Sequence, residues 1–298
     1  MKKYLLILLL VLFSIKSFAQ NDGPGNTGLS FLKLGVGARS LAMGEAFSSI
    51  CDDGTAVIYN PARLNSGSNS NVTLMYNSAM QDLTNNFIGA KLKINKLGLG
   101  FGLFKTTVSG IEIRTIPGAP IDKFDAQNLS MNVSLCYEIY NNLSVGVTSK
   151  LLYEKIYLDE ASGVGFDIGT NFIKDNLSFS FVLSNLGSIN ELKSVSTKLP
   201  TAVRFGGAYT FKNNNLNFIL ALDGFRVLDG GNLHINSGGE VSYKDLLFVR
   251  LGYQTAYDNK GITTGVGFKY KSIIMDYAFI PYSDSFGTSS TISLGFNF

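Results

Sequence analysis

Beyond residue 70 the side chains alternate between apolar and small polar, and this pattern limits the possible folds more than anything else in the chain. Leu129, Met131, Val133, Leu135, Tyr137 and Ile139 fall on one face of an extended segment, and Ser130, Asn132, Ser134, Cys136 and Glu138 on the other. The pattern returns at Leu143, Val145, Val147, Leu151 and Tyr153 against Ser144, Gly146, Thr148 and Lys150, and again at Leu177, Phe179, Phe181 and Leu183 against Ser178 and Ser180. A period of two belongs to a strand. Fourteen such segments can be placed, near 72–76, 85–94, 97–107, 126–139, 142–155, 162–173, 176–185, 200–211, 215–226, 231–243, 246–256, 261–271, 273–282 and 289–298.

The connections alternate as well. Short ones fall at 95–96, 140–141, 174–175, 212–214, 244–245 and 271–272; long ones at 77–84, 108–125, 156–161, 186–199, 227–230, 257–260 and 283–288. An even number of strands, with short turns at one end and long loops at the other, is the pattern of a bacterial outer-membrane barrel. On that reading both termini face the periplasm. Beyond the N-terminus the longest strictly apolar run, 218–222, is far below the ~20 residues of a membrane-crossing helix. A chain that crosses a bilayer without helices must close its sheet, because every backbone N–H and C=O needs a partner there. A secreted soluble β-sandwich would also alternate, but with a charged exposed face. Here the more polar face is Ser, Gly, Asn and Thr, which suits a crowded lumen. The expected fold is all-β: a transmembrane antiparallel β-barrel of about 14 strands over 71–298, with an N-terminal plug in the lumen.

The first residues read as a targeting signal. Lys2 and Lys3 precede an apolar run over 4–13, and Ser17-Phe18-Ala19 supplies small residues for cleavage after Ala19. The signal peptide is then 1–19 and the mature chain starts near Gln20. Cleavage removes Lys2, Lys3 and Lys16 and takes the formal charge from +3 to 0, leaving no basic patch for nucleic acid. Cys51 is too far downstream to be a lipidated first residue. Two cysteines, one histidine and no tryptophan leave no disulfide framework and no zinc-type cluster. No cofactor and no metal are expected.

Residues 20–70 form the expected plug. Gly35, Gly37, Gly44 and Gly54 break 35–64 into short pieces. Asp53 is placed to cap a helix over 55–59, and Asn60 to cap a turn that has Pro61 at its first position. Within this stretch, Gly-Ala-Arg39-x-x-Ala-Met43-Gly44-x-Ala-Phe47, followed by Asp52-Asp53-x-x-Ala-x-x-Tyr-Asn60-Pro61-Ala62, resembles the N-terminal segment of the PorV/PorQ family, outer-membrane barrels related to the FadL fatty-acid transporters. The second half of the motif is shared with FadL-like proteins generally, the first is closer to PorV, and the match covers about a tenth of the chain. The resemblance implies a non-enzymatic accessory of type IX protein secretion that associates with the translocon and binds or hands over the C-terminal domains of cargo. The alternative it implies is a FadL-like channel for hydrophobic small molecules, with an opening in the wall that a kink at Gly98, Gly100 and Gly102 would permit. The C-terminal Phe298 resembles the terminal aromatic read by the barrel-assembly machinery, and outer-membrane lipid is the remaining expected partner.

Several charged residues are expected to face the lumen: Lys91, Lys93, Glu138, Lys150, Asp167, Arg204, Asp223, Glu240, Arg250, Lys269 and Asp276, together with His234. Lumen charges are expected to pair with one another or with the plug, since ionisable groups at membrane depth need compensation. Arg39, with Glu45, Asp52 and Asp53 nearby, is expected to pair with an acidic neighbour or the wall and so hold the plug. No serine is presented to His234 as a hydrolase would require, so no catalytic residue is assigned. Tyr76, Tyr137, Tyr140, Tyr153, Tyr209, Tyr243, Tyr253, Tyr270 and Tyr282 suit an interfacial girdle. Cys51 on the plug and Cys136 on the wall are candidates for a fastening disulfide if their Cα atoms lie within about 7 Å. The long 108–125 connection, with Ile111, Ile113, Ile116 and Ile121, is expected to be an external loop serving as lid or docking surface.

Overall fold

The computed structural model describes residues 23, 25–67, 70–79, 82–284 and 286–298. The signal-peptide reading of 1–19 lies outside these residues. Among the described residues, alternation folds into fourteen antiparallel strands: β1 Asn71–Ser78, β2 Leu83–Ile94, β3 Leu97–Ile113, β4 Asp122–Tyr140, β5 Leu143–Ile156, β6 Asp159–Lys174, β7 Leu177–Ile189, β8 Ala202–Lys212, β9 Leu216–Val227, β10 His234–Tyr243, β11 Leu247–Gln254, β12 Ile262–Tyr270, β13 Ile273–Pro281 and β14 Thr288–Asn297. Each pairs with its sequence neighbours, and β1 closes on β14 from Asn71↔Asn297 to Ser78↔Ser290, so the sheet is a closed barrel.

The wall is inverted relative to a water-soluble protein. On β4, Val133 is 62 % exposed while its neighbour Asn132 is fully buried. Leu151, Val249, Leu251, Val266 and Ile292 also point outward and are exposed, while Thr148, Asn171, Asn236, Thr263 and Thr291 are buried inside. Such an outward apolar band matches the hydrocarbon of a bilayer. Tyr137, Tyr140, Tyr243 and Tyr270 stand exposed at strand ends near the short turns, and Tyr76 and Tyr253 toward the long ones. Tyr282 departs from the expected girdle: it packs against the buried cluster of Ala38, Leu41, Ala42, Ala278 and Ile280.

Two expected long connections are replaced by strand. Residues 108–125 do not form a loop. β3 and β4 continue past a bulge between Val108 and Ile111, pairing from Ile111↔Phe124 to Ile113↔Asp122, and leave only 114–121 as the tip. Beyond the bulge β2 no longer flanks β3, so the hairpin stands off the rim as a two-stranded ribbon. Its tip exposes Ile116 and Ile121. The second case is 156–161, where Ile156↔Asp159 pairing leaves a two-residue turn with Tyr157 at φ 57°. Short β11–β14 strands of 8–10 residues face tall β3–β6 strands of 14–19 residues across the ring.

The N-terminal segment crosses the lumen from mouth to mouth. A 3-10 turn Ser30–Lys33, a helix Ala38–Ala42, a helix Ala56–Tyr59 and a 3-10 turn Pro61–Arg63 follow one another before β1. The helix Ala38–Ala42 packs on β11–β14, the helix Ala56–Tyr59 on β2–β4, and Pro61–Arg63 on β4–β6 across the ring. The described chain begins among the long connections: Gly28 N donates to Lys198 O at 2.9 Å, and Asn26 Nδ2 to Asp229 O at 3.3 Å. It reaches the short-turn mouth at Ser70, whose carbonyl accepts from Phe298 N at 3.1 Å. The expectation that both termini share one side therefore fails for the described chain. Parity of strands places only β1 and β14; the preceding residues cross the lumen and come from the other mouth.

Candidate functional site

The filled lumen is the candidate site. Its polar side chains come from the inward half of each strand's alternation and from the small-residue segment between the walls. On the short-strand side, Arg39 lies against Asp52 at 2.7 Å and Glu240 at 2.8 Å, and Arg250 against Glu240 and Asp276, both at 2.6 Å. Glu240 therefore bridges two guanidiniums, one from the segment and one from the wall. Register explains the wall half: Glu240↔Arg250 are directly opposed partners on β10 and β11. One carboxylate between two guanidiniums satisfies charges that would otherwise be costly to bury. The backbone of the helix Ala38–Ala42 is tied as well, Ala38 N donating to Ser293 Oγ at 2.8 Å and Thr263 Oγ1 to Ala42 O at 3.0 Å. Beside it Met43 is fully buried, and the chain turns at Gly44 with φ 62°. A Cβ at Gly252 would sit 2.1 Å from Gly44 N, so only glycine admits this approach.

On the tall side the contacts are neutral. Asn60 Oδ1 accepts from Ala62 N at 3.0 Å, while its Nδ2 donates to Ser48 O at 3.0 Å and Thr170 O at 3.1 Å. A single amide thus caps the Pro61–Arg63 turn and fixes it to β6. A Cβ at Gly146 would lie 2.4 Å from Pro61 C. Asp53 Oδ1 accepts from Thr55 N at 2.9 Å ahead of the helix Ala56–Tyr59, whose first turn carries no side-chain cap of its own.

Other inward charges are compensated locally. Lys150 meets Asp167 at 2.8 Å and donates to Asn185 Oδ1 at 2.7 Å. Arg204 lies 3.6 Å from Asp223, donates to Glu45 O at 3.0 Å, and stacks over Phe225 at 4.6 Å. Asp223 in turn accepts from Phe47 N and Ser48 N at 3.2 and 3.0 Å. Lys91 is buried and donates to the carbonyls of Asp52 and Ser66. Glu138 and Lys269 face inward, half-buried, outside these networks. His234 is buried, its ring stacked on Tyr257 at 3.8 Å and its Nδ1 3.2 Å from Thr255 O. The site also uses residues that sequence reading did not single out. Asn185 sits at φ 59° in the β6–β7 bulge, where its N donates to Asp167 Oδ1 at 2.8 Å. Ser48 meets Ser180 Oγ at 2.7 Å. An asparagine two residues before Gly187 at the end of an alternating run, a residue type that tolerates positive φ, was the available signal for the first; alternation alone offered none for the second.

The fastening disulfide is not formed. Cys51 and Cys136 are free thiols, both buried. Cys51 Sγ is directed at Ser48 O within its own turn, 3.7 Å away, and Cys136 Sγ at Ala62 O, 3.3 Å away. Each thiol is committed to a different part of the segment.

Two cavities flank the segment. The larger, about 770 Å³, opens at the short-turn mouth and is lined by Arg39, Asp52, Arg63, Glu240, Arg250 and Asp276, among others. The smaller, about 40 Å³, lies toward the long connections and is lined by Leu32, Leu34, Ile58 and Phe225 together with Glu45, Lys150 and Arg204, among others. Among the described residues there is no group of three or more His, Cys, Asp or Glu side chains arranged for a metal ion.

No protein-family model matches the sequence, and no curated protein matches it. Solved structures do. The chain is similar to the TodX deltaS2S3 mutant monoaromatic hydrocarbon channel (13% identity, 89% of this chain and 99% of that one, TM-score 0.67). It is also similar to the CymD monoaromatic hydrocarbon channel (12% identity, 91% and 99%, TM-score 0.62), and to the Pseudomonas putida toluene transporter TodX (14% identity, 88% and 96%, TM-score 0.60). At these identities the likeness is one of fold: the barrel architecture is shared with these channels.

Proposed function

We propose that this protein is an outer-membrane conduit for small molecules with apolar bodies, and not an enzyme. The observation that carries the reading is the closed lumen: a segment tied to opposite walls separates a small chamber, where Leu32, Leu34, Ile58, Val182 and Phe225 stand beside polar groups, from a large vestibule at the short-turn mouth. An open porin would leave a continuous water channel, whereas a barrel closed at mid-height admits only what can lodge and move the closure. The likeness to channels described as carrying monoaromatic hydrocarbons and toluene supports the same reading. The outward apolar band supports membrane residence, with the long connections outside and the short turns in the periplasm. In cells that lack another route, expression should raise the initial rate of toluene uptake several-fold; a rate equal to that of the empty host would remove the proposal. Tags placed in 114–121 should be reached from outside intact cells and tags at Asp175 should not; the reverse would invert the orientation.

A second reading has its own support. The standing β3–β4 hairpin exposes Ile116 and Ile121 beyond the rim, and the Gly35–Phe47 stretch resembles PorV. A secretion accessory would use such a ribbon to dock a protein partner. Copurification with a large translocon barrel, lost on trimming 114–121, is its test.

A further inference from the structure

The wall has no side exit. β3 pairs with β2 without a break from Leu83↔Val108 to Ile94↔Leu97, and with β4 from Leu97↔Tyr137 to Val108↔Ala126. Gly98, Gly100 and Gly102 do not kink the strand. They make room for the segment: a Cβ at Gly98 would lie 2.7 Å from Asn65 N, and one at Gly100 2.6 Å from Val57 Cγ1. The irregularity between Phe166 and Ile168 is stitched by Lys150, Asp167 and Asn185. The remaining register shifts lie at the standing hairpin and beside the Asn141–Asn142 turn.

The partition along the axis is thin by contrast. Gly35 lines the chamber and Gly37 lines the vestibule, with only Val36 between them in the chain. Val36 is fully buried, and its N–H donates to Tyr59 Oη at 3.2 Å. Gly37 holds φ 90° and its N–H donates to Met75 Sδ at 2.9 Å, a weak acceptor. Below the partition Arg63 lines the vestibule while nine-tenths buried. Its Nε donates to Cys51 O at 3.1 Å, and Asn171 Oδ1 accepts from its Nη1 at 3.3 Å once that amide is oriented to satisfy its own donors. Both partners are neutral, and Arg63 makes no ion pair among the described residues. A guanidinium held this way has N–H groups ready to donate to an anionic head.

Resting on the conduit reading, we propose that cargo leaves along the barrel axis and not through the wall. It passes the Gly35–Val36–Gly37 partition into the vestibule, where Arg63 receives its head group. The cargo class this route fits is a small apolar body carrying one anionic group.

Benzenesulfonate, an aromatic ring with a permanent charge, is the probe. The full-length protein with Asn217→Cys, on the vestibule wall, is labelled with a polymer-bearing maleimide and reconstituted in phosphatidylcholine vesicles; the native thiols are buried and unlabelled. Labelling should cut benzenesulfonate flux about tenfold, while the same label on lipid-facing Leu220→Cys leaves it unchanged. Arg63→Gln, checked for barrel closure by heat-modifiability, should slow the flux several-fold. Unchanged flux after labelling Asn217→Cys overturns the axial route. A protein that speeds toluene uptake by cells but passes no benzenesulfonate keeps the conduit and overturns this inference; one that carries neither overturns both.

Discussion

The luminal segment is fastened to opposite walls by different physics. Against β10–β14 the fastening has an ionic part: Arg39 pairs with Glu240 on β10 and with Asp52 of the segment itself, and Arg250 and Asp276 extend the chain of contacts along the wall, all at 2.6–2.8 Å. Against β4–β6 no ion pair takes part; Asn60 supplies hydrogen bonds, and Gly146 permits backbone-to-backbone contact with Pro61. The ionic fastening is a small difference between large desolvation and Coulomb energies. The neutral one is close packing, which resists displacement steeply but tolerates no added volume. One wall can therefore let go through exchange of charged partners, while the other keeps its hold until the backbone moves.

Four experiments break or sharpen that contrast. The largest effect is expected from Glu240→Gln, which leaves Arg39 and Arg250 facing each other without their shared carboxylate. Unfolding in detergent and urea should show a loss of about 3–5 kcal/mol. Adding Arg39→Met should return a good part of it, because the two guanidiniums no longer face each other. A purely additive double variant would mean the residues do not form one network. Gly146→Val comes next. Its side chain collides with Pro61, and overpacking costs about 1–3 kcal/mol. The barrel should still close, but protease should now cut within 55–66; wild-type protection would refute the close approach. Asn60→Ala should cost ~1 kcal/mol through the lost cap, with a lowered urea midpoint and little change in leak current across planar bilayers. The smallest effect concerns thiols. Burial pushes the Cys51 thiol up to about 12, so at pH 8 it stays protonated and poorly nucleophilic. The native protein should take up no maleimide, and the unreduced, unfolded protein should take up two. No label after unfolding would restore the Cys51–Cys136 bridge.

Much of the wall was legible because alternation is a local signal and lipid enforces it on every strand. The fourteen segments and the short turns follow from it. The standing hairpin was missed although Ile111-Glu112-Ile113 and Lys123-Phe124-Asp125 also alternate. Pro117-Gly118-Ala119-Pro120 between them reads as a loop, and the loop was extended over both flanks. In the lumen, the pairing of Arg39 with acids and the capping role of Asn60 could be argued from chemistry alone. Which acids, and from which strand, could not: Glu240 lies 201 residues from Arg39 in sequence, and only closure of the ring brings them together. The mouth from which the segment comes was equally hidden. Strand parity says nothing about residues that precede the first strand.

That the described chain starts at one mouth and meets β1 at the other has a consequence for assembly. The β1–β14 seam joins residues more than two hundred positions apart, such as Asn71 and Asn297, and contacts of that separation form slowly. Gly23 and Asn26 must already be at the far mouth when the seam shuts, since a closed ring offers no way round. The polypeptide is in effect threaded, with the hoop drawn shut about a strand of itself. A bulky insertion beside Asn26 would have to be carried through the unfinished hoop, whereas one after Phe298 would stay on the side where closure happens.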